Sequence, residues 1–346
     1  MDPAMKKFST IHYILITLLF LVGACGQLQA QGKPTILVFG PKHNDFQSVY
    51  TVIKSEVAEE YEGDYEVVYQ VIERGTDDKY QRFSLAIETS SPKIIILMDW
   101  SIELYEEYQT KKLALNPNHK FPPAIACMAL LVQDQIKNLK NVRGINYEVP
   151  AVTCITEFRD KISVPLNKVG VVYREDYRPF IERQTRYALI EEIELVSYEV
   201  VVKGGRNKDK QIRNGLDKAL KHLIKKEKVD GIWIVNDNDL ITETLVEDIW
   251  YRKLRFFKKP VMVNVRSMLG SELGNFAVLP DHEGIGDQVS YMVFDILEGD
   301  GSDISGVEEP TNSPRTFLYL PPAERYFGFK KEKEDEIDQI IREEKK

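Results

Sequence analysis

Short, unbroken apolar runs recur between residues 35 and 279, most of them followed by an amphipathic stretch, and this alternation limits the fold more than any other feature. The runs are TILVF (35–39), KIIILM (93–98), AIACM (124–128), KVGVVY (168–173), GIWIV (231–235), VMVN (261–264) and FAVL (276–279). A strand with one face in water alternates apolar and polar residues, whereas one covered by helices on both faces is apolar throughout. Stretches 45–61, 79–88, 177–191, 209–226, 240–253 and 285–297 have helical spacing, and 65–72, 195–202 and 316–320 read as further strands. The implied units are βαβ with parallel pairing. The series restarts after Pro150, and neither half closes without elements from late in the chain.

The expected architecture is therefore α/β, with two Rossmann-like lobes of parallel sheet joined by a multi-crossover hinge. Residues 33–148 plus about 266–300 are assigned to an N-terminal lobe, and 149–265 plus about 301–346 to a C-terminal lobe. Stretch 298–314, rich in Gly, Ser, Asp and Pro, reads as a loop. At 346 residues and 43% hydrophobic, the chain has enough apolar material for two cores.

Residues 1–30 read as a signal peptide or lipoprotein leader. Lys6 and Lys7 precede the apolar run ILITLLFLV (14–22), and small residues follow at Gly23 and Ala24. The run is too short for a bilayer-spanning helix, which takes about 20 residues. Val22-Gly23-Ala24-Cys25 resembles a lipobox, which would make Cys25 a lipidation site; Leu28-Gln29-Ala30 offers ordinary cleavage instead. Both routes place the protein in the periplasm or at the cell-envelope surface. Disulfides are permitted there, but Cys127 and Cys154 sit in apolar runs that suit buried thiols, with a bridge between them the lesser reading.

A net charge of −8 argues against nucleic acid as a partner, since neutralising phosphates takes a basic face. No GxSxG, GxxxxGK[ST] or GxGxxG motif occurs, and the five histidines are scattered. Neither an enzyme nor a cofactor or metal site is expected. What recurs is a polar or aromatic cluster just beyond each strand end, where ligands bind in open α/β sheets. The candidates are Asn44 and Phe46 after the first strand, Asp99, Trp100 and Ser101 after KIIILM, Tyr173 at the end of KVGVVY, Asp237 after GIWIV and Arg266 after VMVN, with Tyr147 as a further apolar wall. Asp45, Ser101, Asp176 and Asp239 also suit helix N-caps. Asp237 suits capping least, so its carboxylate is the natural partner for a ligand ammonium.

The segments KVGVVYREDY, KVDGIWIVNDNDL, KKPVMVN, AVLPDHEGIGDQVSYMVFDILEGD and LPPAERYFGF resemble the tryptophan/tyrosine-type substrate-binding proteins of ABC transporters, a family of type I periplasmic binding proteins. The resemblance is clearest after Lys168. It implies an extracytoplasmic solute-binding protein that holds a small polar ligand, an amino acid or similar, between its lobes and delivers it to a membrane permease. By the same resemblance Asp237 matches the aspartate of the family's DNT turn, Tyr173 the tyrosine before its NP turn, and Asp281 the aspartate of its DYY segment. Met128-Ala129, Tyr147-Glu148 and Asp99-Trp100 depart from the family's TDP, S-D and TPA residues. Those departures leave a second reading, a non-transporting lipoprotein that acts as a sensor or envelope interaction module.

Overall fold

The computed structural model describes residues 32–342 except 204, 206, 271–272, 300–303 and 311–313. The leader, with its lipidation candidate Cys25, lies outside the described residues. Two sheets are present. The first runs in the order β11-β5-β4-β3-β1-β2, built from β1 (Thr35–Gly40), β2 (Glu66–Val71), β3 (Ile94–Met98), β4 (Ala124–Cys127), β5 (Val142–Ile145) and β11 (Ser305–Glu308), with every pairing parallel. The second runs β13-β12-β10-β9-β8-β6-β7, from β6 (Lys168–Arg174), β7 (Glu194–Val200), β8 (Gly231–Ile234), β9 (Val261–Val263), β10 (Phe276–Leu279), β12 (Arg315–Tyr319) and β13 (Gln339–Ile341). There β12 runs antiparallel to β10, and the other pairs are parallel.

The apolar runs form strands because helices cover both faces. In β1, Ile36 and Val38 face one cluster, shared with α1 (Asn44–Glu60) and α9 (His282–Glu298). Leu37 and Phe39 face the opposite cluster, shared with α2 (Lys79–Ser90) and α3 (Ser101–Leu115). The two-residue period of a strand thus divides one apolar run between two cores. The same division holds in β6, where Val169 and Val171 face α5 (Ala151–Lys161) and α6 (Arg178–Ile190), and Val172 faces α7 (Lys208–Lys221) and the helical stretch 243–254 (α8). Trp233, in β8, is wholly buried.

Two of the expected lobe boundaries are corrected. Residues 276–279 pair with β9 (Phe276 opposite Met262), so the chain stays in the C-terminal lobe past Val265 and crosses at Pro280–Asp281. Residues 305–308, expected as loop, pair with β5 (Ser305 opposite Val142) and extend the N-terminal sheet, so the third crossing falls between Glu308 and Arg315 instead of near 301. Each strand goes to the sheet edge that its neighbours leave unpaired, and no local pattern records which edge that is. The short polar strand SGVE carries no apolar signal; the Arg143 guanidinium pairs with Glu308 across the β5–β11 edge. Cys127 and Cys154 are free, buried in separate lobes, and burial pushes both thiols up to about 12.

Candidate functional site

The three crossings, at 146–150, at 280–281 and between Glu308 and Arg315, bring the carboxyl ends of both sheets face to face. Between them lies a cleft of about 510 Å³, within the ~300–1,000 Å³ common for small-molecule sites. Asp45 and Ser48 from the start of α1, with His282 and Glu283 from α9, form its N-terminal wall. Asn236 and Asn238 beyond β8, Asn264 and Arg266 beyond β9, and Phe317 of β12 form the opposite wall. A second cavity of about 430 Å³ lies on the other flank of the crossings, lined by Glu148, Pro280, Pro310, Phe180 and Gln184. Tyr147 and Pro280 line both spaces and the small hollow between them.

Several candidate residues do not reach the cleft. Trp100 packs in the N-terminal core with Lys79 above its ring, because the turn out of β3 sends residue 100 toward α2 and α3. Ser101 is buried and donates its hydroxyl to Met98 O at 2.8 Å. Met128 lies in the core beneath α1 and α9. Tyr173 belongs to the C-terminal core, its hydroxyl donating to Glu199 at 3.4 Å. Asn44 is exposed at the first position of α1, and Phe46 is half-buried against the core. Asp99 and Met128 both leave their strands with φ of 53°, a left-handed conformation that costs a non-glycine residue about 1–2 kcal/mol. Burial raises the Asp99 carboxyl above its ordinary range.

Asp237 is the main correction. Its side chain has 0% exposure and is clasped by the Arg174 guanidinium, Nε to Oδ2 at 2.8 Å and Nη2 to Oδ1 at 2.7 Å. Oδ1 also accepts the Asp239 N–H at 3.0 Å. Arg174 Nη1 reaches Asp176 at 3.0 Å and Asp239 at 2.9 Å, and Lys208 closes the chain on Asp239 at 2.7 Å. The positive charge expected from a ligand is supplied by the protein, so Asp237 holds the β6 and β8 turns together. The following helix starts at Glu243 with Thr242 as its cap, and Asp239 takes no capping role there.

Tyr147, Arg266 and Asp281 do line the cleft. Arg266 donates to Gln339 at 2.7 Å and lies 5.1 Å from the Phe317 ring centre; Asp281 pairs with Arg315 at 3.0 Å. The charged groups are thus mostly engaged with one another. The amides are not. Among the described residues the side chains of Asn236 and Asn238 have no protein partner. Asn264 Oδ1 accepts the Trp233 indole N–H at 3.1 Å, and because that N–H only donates, the Asn264 NH₂ remains for a ligand. These asparagines sit in the very loops singled out from sequence, one residue to either side of Asp237 and at the end of VMVN.

His282 also escaped the sequence reading. Its Nε2 lies 3.1 Å from the Tyr147 hydroxyl, and the two rings stack at 6.0 Å and 15°. Burial pulls its pKa below the usual 6.5, outweighing the opposing pull of Asp45 and Asp281. The imidazole is accordingly neutral above its ordinary range and shares a hydrogen bond with the Tyr147 hydroxyl. Since folding favours the neutral form, the stability this group contributes is complete above 6.5 and is lost as pH falls from there through the lower folded value. Melting temperature measured across that window should fall on acidification, and His282→Gln should flatten the decline. An identical pH profile in the variant would contradict the assignment.

Among the described residues no group of three or more His, Cys, Asp and Glu side chains is arranged to hold a metal ion, and no helix is long and apolar enough to cross a membrane. No protein-family model matches the chain, and no curated protein matches its sequence. Solved structures match over most of its length. The ligand-free, open structure of a substrate binding protein with adhesive properties from Clostridium difficile is 13% identical, with a TM-score of 0.64, over 90% of this chain and 100% of that one. An ABC domain in complex with L-Trp from Streptococcus pneumonia is 17% identical, with a TM-score of 0.59, over 90% and 100% of the two chains. A conserved domain protein from Vibrio cholerae is 16% identical, with a TM-score of 0.56, over 89% and 100%. The architecture is that of the type I periplasmic binding proteins.

Proposed function

We propose that this chain is an extracytoplasmic solute-binding protein, without catalytic activity, that closes its lobes on a small polar molecule and presents it to a membrane permease. The observation that carries this reading is the cleft itself: about 510 Å³ at the carboxyl ends of two α/β lobes, where the side chains of Asn236 and Asn238 and the NH₂ of Asn264 have no protein partner among the described residues. The L-Trp-bound structure of similar fold and the resemblance to tryptophan/tyrosine-type binding proteins point to the same class of protein. The cleft chemistry favours an uncharged or weakly charged hydrogen-bonding ligand, because the Asp237 carboxylate is already neutralised by Arg174. Carboxamides both donate and accept, which suits hydroxyls and amides.

Thermal-shift screening with monosaccharides, nucleosides, amides and amino acids tests this directly. A ligand at a hundred times its Kd should stabilise the fold by about 2.7 kcal/mol. Asn264→Leu should weaken that ligand by about tenfold, the cost of leaving one of its polar groups unpaired, with a smaller change in melting temperature of the free protein. Absence of any shift across the panel would defeat the reading. Export and anchoring belong to the same proposal: palmitate incorporation into the full-length protein should vanish in Cys25→Ser. A non-transporting role as a sensor or envelope module is favoured by one observation, the burial of Trp100, Ser101 and Met128 on the N-terminal side.

A further inference from the structure

The end of the C-terminal lobe opposite the cleft carries a basic and aromatic surface that solute binding does not use. Residues 252–259, RKLRFFKK, contain five cations and no acid in a chain of net charge −8. Arg252 and Lys253 are answered by Asp248 at 3.5 Å and Asp217 at 2.5 Å, and Lys259 donates to Val229 O at 2.7 Å with Asp230 at 3.9 Å. Arg255, Lys258 and Arg325 have no carboxylate partner among the described residues. They surround a hollow of about 220 Å³ at the amino ends of β9 and β10, where Val261 and Asn275 also line it. Glu324, next to Arg325 in sequence, is exposed and pairs with none of them.

Two exposed rings stand among these cations. Phe256 is 72% and Tyr326 40% exposed. The Arg255 guanidinium lies 4.6 Å from the Phe256 ring centre, and Lys258 and Arg325 lie 5.5 and 5.9 Å from that of Tyr326. A dissolved anion would answer the charges and leave Phe256 in water. An anionic bilayer surface answers both, since its phosphates attract clustered cations and its headgroup layer is where amphipathic and aromatic side chains settle. We propose that this pole docks on an anionic lipid surface, with Arg255, Lys258 and Arg325 against headgroup phosphates and Phe256 and Tyr326 at headgroup depth. The proposal is independent of what the cleft binds.

Co-sedimentation of the full-length chain with phosphatidylcholine vesicles, with and without phosphatidylglycerol, is the test. The neutral vesicles measure whatever the apolar leader contributes. Binding should rise with phosphatidylglycerol and fall with salt, and Arg255→Glu/Lys258→Glu/Arg325→Glu should weaken the anion-dependent part by about a hundredfold, at roughly fivefold per cation. Phe256→Ser and Lys258→Gln, which touch single exposed side chains, should each weaken it several-fold without changing the melting temperature, and they carry the test if the triple variant fails to fold. Equal binding to both vesicle types, or an anion-dependent part that survives these substitutions, overturns the proposal. So does binding of free glycerol phosphate that is indifferent to Phe256→Ser in a protein that ignores vesicles.

Discussion

Arg174→Ala should cost about 3–5 kcal/mol of folding stability, read as a lower denaturant midpoint at unchanged slope. The substitution strands Asp237, whose side chain has 0% exposure and whose remaining contact is the Asp239 N–H. A buried carboxylate without its counter-charge is far more costly than the pair is favourable, so the effect measures the stranded charge. Asp237→Ala should cost less, about 1–3 kcal/mol, because Arg174 keeps Asp176 and Asp239 and is itself 16% exposed. Arg174→Met combined with Asp237→Leu should recover most of the loss, since both charges then leave together. A loss below about 1 kcal/mol in Arg174→Ala would place the pair among ordinary surface ion pairs and reopen Asp237 as a ligand group.

Gly286→Val should lower stability by about 3 kcal/mol and abolish ligand-induced stabilisation as well. Gly286 lies in α9 where it crosses α1. A Cβ there would stand 2.7 Å from Val52 Cβ and 3.2 Å from the Val49 carbonyl oxygen. The carbonyl belongs to helix backbone and cannot turn aside, so α9 must move; overpacking of this kind costs about 1–3 kcal/mol, and a branched side chain falls at the upper end. The amino end of the same helix carries His282 and Glu283 into the cleft, and its displacement would part His282 from Tyr147. Calorimetric unfolding with and without ligand separates the two effects. Stability within about 1 kcal/mol of the parent would mean that the helices have room that the structure denies.

The cleft was legible in part. The loops beyond β8 and β9 do line the cleft, because the end of each apolar run marks a strand's carboxyl end, whereas residues 99–101 and 128 beyond β3 and β4 do not line it. Which residues within a loop face the cleft was not legible. At a strand end, successive side chains point to opposite sides, so a shift of one position exchanges a cleft residue for a core residue. Asp237 is buried while Asn236 and Asn238 face the cleft, and Trp100 fills a core that the neighbouring Asp99 leaves. Resemblance to a binding-protein family could not correct this, because Arg174 consumes the carboxylate that the resemblance assigns to a ligand.

The amino-acid sequence by itself determined the α/β class, the two successive βα series and most core strands. Those follow from local physics: an apolar run long enough to need cover on both faces, and helical spacing in the stretch after it. Tertiary structure decided where the chain crosses between lobes, which sheet receives residues 276–279 and 305–308, and which charged group Asp237 faces. Each depends on partners far apart in the chain, such as Arg174 and Asp237 at a separation of 63 or Arg143 and Glu308 at 165. Pairings of that range are chosen by the unpaired edges and uncovered faces left once the local elements have packed.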